Sequence, residues 1–315
     1  MGMPDKRTSE QLQLLKQNIV QRVVGKEKLI EHVLTAFLAG GHVLLEDVPG
    51  VGKTSLARAL AQSLQCSFAR IQCTPDTMPG DITGVTVYDM NRGVFETIPG
   101  PVVNQIVLAD ELNRTSPKTQ SALLEAMEER QVTIDAKAIP IPEPFMVIGT
   151  QNPMEMAGTY PLPEAQLDRF MMKLSVGYLA ADDARDMAKR FLRGTLHEET
   201  KPVLQAQDIL RIREEVRQVE MHDDLTDYAA RIIEATRARR EIRYGASPRA
   251  LLELLRAAQA TACMEGRSYC IPEDVRSMAA AVLPHRLILT AEARMNRETA
   301  ENVLRRILET APVPQ

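Results

Sequence analysis

The stretch HVLLEDVPGVGKTSLARAL, residues 42–60, decides the fold. Residues 42–46 read as a short apolar strand and 53–65 as a helix. Between them stand Asp47, Val48, Pro49, Gly50, Val51, Gly52, Lys53 and Thr54, followed by Ser55. A glycine-rich turn leading from a strand into a helix is the context that makes a phosphate loop. Gly50 and Gly52 let successive backbone N–H groups curl around phosphate oxygens with no Cβ in the way. The helix starting near Lys53 adds its positive N-terminal end. On this reading Lys53 reaches β- and γ-phosphates, and the Thr54 hydroxyl holds Mg2+. Asp47 departs from the pattern GxxxxGK[ST], which has glycine there. A carboxylate facing phosphate repels it, so Asp47 is expected to point away or cap a turn. The competing reading is a glycine-rich turn without a ligand.

Outward from the loop, VVNQIVLADE ends an apolar run, read as a buried strand over 102–110, with Asp110 and Glu111. Acids at the C-terminal end of a strand lie where open α/β sheets bind ligands. Asp110 is the expected Mg2+ ligand, directly or through water, and Glu111 the general base for an attacking water. The plain alternative is that both acids only terminate the strand. GTQNP, residues 149–153, ends another strand, and Asn152 can orient the water or the γ-phosphate; the alternative is a turn-forming Asn before Pro153.

Helix starts give an independent signal. A helix N-terminus carries about +0.5 charge, so first turns normally attract acids. Lys53 follows the glycine loop. Arg114 and Lys118 flank Thr115-Ser116-Pro117, and Arg249 follows Ser247-Pro248, each a cap followed by a first-turn proline. Each misplaced cation costs ~0.3–1 kcal/mol unless a bound anion, or a nearby carboxylate, compensates. Arg169, at the end of PEAQLDRF (163–170), follows the ordinary charge order of a helix and reads locally as an exposed cap or salt-bridge partner.

Strands alternating with helices up to Tyr178 imply a parallel sheet with crossovers, an α/β unit. Helices are expected at 9–40 (broken by a turn at Val23-Val24-Gly25), 53–65 and 117–130, with strands at 67–72 and 145–153, short β pieces within 74–101, and a hairpin from QVTI and AIPI. After Tyr178 strand signals nearly vanish, and helices are expected at 180–193, 206–218, 224–241, 248–265, 272–283 and 296–309. The predicted division is 1–178 and 179–315, which fits the roughly two domains expected of 315 residues. A compact fold of this size exposes ~13,000 Å².

Composition narrows the function. Net charge is −4, which argues against a protein that coats nucleic acid. With no Trp, 6 Tyr and 6 Phe, base-stacking platforms are scarce. No run of 18 apolar residues exists, so membrane insertion is not expected. Cys66, Cys73, Cys263 and Cys270 form no CxxC pair; reduced thiols and a cytoplasmic setting are expected.

Taken together, LLEDVPGVGKT (44–54), ADELNRTSPKTQSALLEAMEERQVTI (109–134), GTQNP (149–153), LPEAQLDRF (162–170) and GASPRALLELLRAA (245–258) resemble the MoxR family of AAA+ ATPases. The resemblance runs from Val23 to about Leu308, and Asp47 also occurs in such sequences. It implies an ATP-binding core with Mg2+ and ATP or ADP, followed by an all-helical lid. Val24 and Gly25 would line the adenine pocket, and Asn152 resembles sensor 1. Arg169 resembles an arginine finger given to the neighbouring subunit, which displaces the local reading, and Arg249 resembles sensor 2, with a possible role in trans. Residues 79–100 look like the helix-2 insert and 131–142 like the hairpin before sensor 1. Both face a central pore in relatives, against the plainer reading that they only pack on their own domain. The family implies homo-oligomeric rings, usually hexamers, which remodel or activate partner proteins, often beside a von Willebrand factor A domain protein. The alternatives are a DNA-stimulated motor and a slow nucleotide-gated switch.

Overall fold

The computed structural model describes residues 6–46, 50–152, 158–195 and 200–314. Two helices open the chain, α1 (Lys6–Arg22) and α2 (Glu27–Leu38), joined by the expected turn. Then follow β1 (Val43–Glu46), α3 (Lys53–Ser63), β2 (Phe68–Gln72), a short α4 (Pro79–Thr83) and a hairpin of β3 (Gly84–Asp89) and β4 (Val94–Pro99). Next come β5 (Ile106–Asp110), a 3-10 turn at Leu112–Arg114, α5 (Pro117–Glu129), a second hairpin of β6 (Gln131–Ile134) and β7 (Lys137–Pro140), and β8 (Met146–Gln151). A single turn, α6 (Glu164–Leu167), leads to β9 (Met172–Ser175). The rest is helical: α7 (Ala181–Leu192), α8 (Ala206–Arg217), α9 (Asp223–Ala238), α10 (Pro248–Met264), α11 (Pro272–Val282), α12 (Ala291–Met295) and α13 (Ala300–Thr310), with one small ladder of β10 (Ile242–Tyr244) and β11 (Ile288–Leu289).

The main sheet has the order β2-β5-β8-β1-β9 and every pairing in it is parallel. Period-2 alternation splits its side chains between two layers. Val43, Leu45, Ile106, Leu108 and Ile148 belong to one core with α1, α2 and α3, and Leu44, Val107, Ala109 and Val147 to the other with α5. Both faces are covered, which is why these strands read as unbroken apolar runs. The first core continues into the helical region through Ile209, Ile212, Leu254 and Ala258. At ~1.5–3 kcal/mol for each large apolar side chain buried, that shared core holds the lid to the sheet.

Several boundaries differ from expectation. The strand expected over 102–110 begins only at Ile106, because Pro101 to Gln105 form turns under the first hairpin. PEAQLDRF makes one helical turn and leaves Arg169 outside it. The helix expected over 296–309 starts later, at Ala300, after the separate α12. Strand β9 and the β10–β11 ladder carry too few residues for a periodic signal. The accessible surface, 16670 Å², also exceeds the ~13,000 Å² of a compact monomer, and the first hairpin leaves Met90 and Phe95 exposed. The four cysteines are free, and burial pushes Cys73 and Cys270 up to about 12.

Candidate functional site

Parallel pairing brings the C-terminal ends of β1, β2, β5 and β8 to one edge, with Gln72 in register with Asp110. Below that edge lies a cavity of about 370 Å³. Gly50, Gly52, Lys53, Thr54 and Ser55 line one side of it, and Arg70, Gln72, Asp110, Glu111 and Asn152 the other. Gly50 and Gly52 have φ of 85° and 96°, a left-handed backbone that suits glycine. A Cβ built on either meets no atom within 4 Å, so it would project into open space. That is the cradle a phosphate needs. Gly52 caps α3, and Lys53, its first residue, is only 9% exposed. Val51 borders the adjoining apolar cavity. Asp47, Val48 and Pro49, with Pro153, lie outside the described residues.

The acids are held in place by their neighbours. Asp110 Oδ1 accepts the Thr150 hydroxyl at 2.7 Å, and its Oδ2 accepts Arg70 Nη2 at 2.6 Å. Glu111 Oε2 accepts Gln72 Nε2 at 3.1 Å and Arg114 Nη1 at 3.0 Å. Glu111 sits at φ 58°, ψ 47°, with its backbone N–H donating to Thr150 Oγ1 at 2.9 Å. Such a conformation costs a non-glycine residue ~1–3 kcal/mol and is typical of functional positions. Asn113 Nδ2 donates to the Asn152 carbonyl at 3.3 Å, and both residues are buried. Of the helix-start cations, Arg114 and Arg249 are thus met by carboxylates, Arg249 by Glu128 at 3.1 Å. Lys118 is exposed.

Beside the polar cavity is an apolar one of about 480 Å³. Val23, Val24, Tyr178, Leu179, Ala184 and Met187 line it together with Gly50, Val51, Gly52 and Ser55. Gly25, expected on its wall beside Val24, is not among the lining residues; it packs instead on α7 at φ +70°, where a Cβ would lie 2.5 Å from Asp183 Oδ2. Lys26, buried, donates its Nζ to the carbonyls of Val176, Gly177 and Tyr178 at 2.7, 2.7 and 3.0 Å, fixing the chain where it leaves the sheet. A phosphate cradle adjoining an apolar slot of this size matches the two ends of a nucleotide.

Arg169 and Arg249 line neither cavity. α5 starts near the nucleotide edge and runs back for 13 residues, about 20 Å at 1.5 Å per residue. At its far end Glu128 pairs with Arg169 at 3.0 Å and with Arg249. His42, just before β1, marks this same edge: its Nδ1 accepts Val147 N at 2.9 Å and its Nε2 faces the Met127 carbonyl at 3.3 Å. Burial, first of all, holds its pKa down to about 3. Within the lone chain Arg169 is therefore a salt-bridge partner, as its local sequence reads.

For a divalent cation the chain offers the Thr54 hydroxyl and the Asp110 carboxylate, both lining this cavity. No group of three or more His, Cys, Asp or Glu suited to a metal exists among the described residues. Two hard oxygen donors beside a phosphate cradle fit Mg2+, which takes few protein ligands and completes its shell with phosphate and water. Arg70, Gln72, Thr150, Lys26, Tyr178, Met187 and Glu128 were not singled out from the sequence. Only the polar residues at the end of β2 carried a local hint.

A five-stranded parallel sheet with a glycine loop after one strand, an acid pair after its second neighbour and a helical lid define a P-loop ATPase of the AAA class. The profile "ATPase family associated with various cellular activities (AAA)" matches residues 42–172, and the AAA lid domain matches 234–307. The chain belongs to the MoxR family within that class. It is 43% identical to Chaperone MoxR1 of Mycobacterium tuberculosis, over 93% of this chain and 80% of that one. It is 46% identical to YeaC of Bacillus subtilis, over 95% and 93%. The crystal structure of a Cytophaga hutchinsonii protein superposes with a TM-score of 0.92 at 38% identity, covering 98% and 96%. No helix among the described residues is long and apolar enough to cross a membrane.

Proposed function

We propose that the chain hydrolyses ATP at a site shared between adjacent copies in a ring, a hexamer by family resemblance, and uses the turnover to remodel partner proteins. The observation that carries this reading is the single cavity that gathers Lys53, Thr54, Asp110, Glu111 and Asn152. Backbone N–H groups of the glycine loop and the Lys53 ammonium bind the β- and γ-phosphates of ATP. The apolar slot takes the adenine, with Val24 and Tyr178 on its walls. Mg2+, held by Thr54 and Asp110, would neutralise phosphate charge. Glu111 accepts the proton of the attacking water, and its hydrogen bonds from Gln72 and Arg114 set the carboxylate's direction. Asn152 orients that water or the γ-phosphate. Catalysis is positioning plus electrostatic stabilisation of the transferring phosphoryl.

Arg169 supplies the finger to a neighbour's γ-phosphate, and Arg249 acts as sensor 2 from the same surface. Their distance from their own glycine loop supports a role in trans. The division at 178/179 places the adenine slot at the joint between an ATP-binding core, 1–178, and a lid, 179–315. The hairpins β3–β4 and β6–β7 are the elements that meet clients, and the exposed Phe95 and Met90 suit that role. Chaperone activity is carried over from MoxR1, and a von Willebrand factor A domain protein is the partner the family suggests. The four free thiols fit a cytoplasmic setting.

The test is Arg169→Ala. Turnover should fall by ~10³-fold or more, while binding of a fluorescent ATP analogue stays at the parent level. Hydrolysis at the parent rate would refute the shared site.

A further inference from the structure

We propose that Arg169 and Arg249 form one preassembled two-pronged clamp, and that Glu128 and Arg286 are the positioning residues that build it. The proposal rests on the shared-site reading above and adds how the two arginines are held.

Glu128 gives one oxygen to each arginine. Its Oε2 lies 3.0 Å from Arg169 Nη1 and its Oε1 lies 3.1 Å from Arg249 Nη1. Arg169 Nη1 also donates to the Leu124 carbonyl at 2.8 Å. Two cations 80 positions apart in the chain, one in the turn before β9 and one on the first turn of α10, thus converge on one carboxylate. Their side chains are 30% and 37% exposed, so the cluster opens outward with a net charge of +1 from two cations and one anion. Exposed ion pairs contribute little to stability in water. This one is therefore easily exchanged for a phosphate, which offers more charge and more acceptor oxygens.

The bases of the two arginines are joined differently. Asp168, next to Arg169, accepts Arg286 Nε at 2.7 Å, and the Ser247 hydroxyl reaches its oxygens at 3.2 and 3.4 Å. Ser247 is the N-cap of α10, two residues before Arg249. Arg286 also donates to the carbonyls of Asp168, Phe170 and Met171 at 3.1, 2.9 and 3.0 Å, and its side chain is 2% exposed. A buried, fully bonded guanidinium ties the finger's backbone to the lid, because breaking such a pair leaves an uncompensated charge. The base is rigid and the tips are exchangeable. Finger and lid arginine consequently reach a neighbour's triphosphate together or not at all.

The experiment mixes two inactive subunits. Lys53→Ala subunits hold nucleotide too weakly to turn it over but present intact arginines, and Arg169→Ala subunits hold nucleotide but give no finger. Their co-assembly should restore ATP hydrolysis; if it does not, the shared site itself is wrong and the clamp falls with it. Adding Arg286→Gln to the Lys53→Ala subunit should cut the restored rate by ~10²-fold, the size of effect expected of an ångström-scale misplacement. The same change in the Arg169→Ala subunit should leave the rate within twofold. Equal losses in both subunits, or none in either, would overturn the positioning role. Glu128→Gln is exposed enough to fold and gives a second reading. It should lower both KM and kcat several-fold, since the phosphate meets two cations without a competing carboxylate while the tips lose their alignment. An unchanged or raised KM would overturn Glu128's part.

Discussion

The two edges of the parallel sheet are built on opposite plans. At the C-terminal edge, Asp110 and Glu111 are wired to Arg70, Gln72, Arg114 and Thr150 around an open cavity. At the N-terminal edge, Arg169, Arg249 and Arg286 meet Glu128 and Asp168, and the arginine tips face outward. One edge is shaped to receive an anion. The other offers two arginine tips, on Arg169 and Arg249, that share one part-exposed carboxylate. The contrast teaches that the two halves are to be tested apart.

The sharpest way to break the comparison is Glu111→Gln. Hydrolysis should fall ~10²–10⁴-fold, as for loss of a general base, while ATP stays bound, read by retention of labelled nucleotide after gel filtration. Rapid turnover by that variant would remove Glu111 from its role. Next, Lys53→Ala should weaken ATP binding ~10²–10³-fold, in line with breaking a buried charge pair, measured by calorimetry. It should leave the variant a competent finger donor; loss of both functions would mean the edges are not separable.

The N-terminal edge carries its own pH signature. His42 and His285 are buried neutral, each held down to about 3 chiefly by burial. The unfolded chain therefore binds more protons than the folded one between pH 6.5 and 3, and stability is lost as pH falls through that window. Denaturant titrations should show a drop of roughly 2 kcal/mol per histidine between pH 6.5 and 5. His42→Gln should remove about half of it; an undiminished drop would assign the effect elsewhere. The smallest effect belongs to the apolar slot. Tyr178→Ala should weaken ATP binding about tenfold, as for an aromatic contact worth ~1.5 kcal/mol, with inorganic phosphate binding unchanged.

Much of this was legible in the sequence because the signals are local. The glycine loop, the acids ending β5 and the cap-proline starts of α5 and α10 each fit within a few residues. What escaped depends on distance in the chain. Arg70 and Gln72 matter only because β2 pairs with β5 in register. Tyr178 and Met187 reach the slot from beyond the sheet, and Lys26 finds its three carbonyls some 150 residues on. Glu128, inside AMEER, looks like any solvated helix charge until the fold sets two arginines on it. Strand β9 has four residues and no alternation to betray it, and Val102 is buried without belonging to a strand.

The ammonium of Lys26 has a mechanical meaning. By gripping three successive carbonyls it turns the crossover between the two halves into a fixed axle instead of a slack cord. Tyr178 sits on that axle, beside the cavity wall. The wall that Tyr178 gives the cavity is therefore set by backbone pinned at Lys26, not by side-chain packing alone.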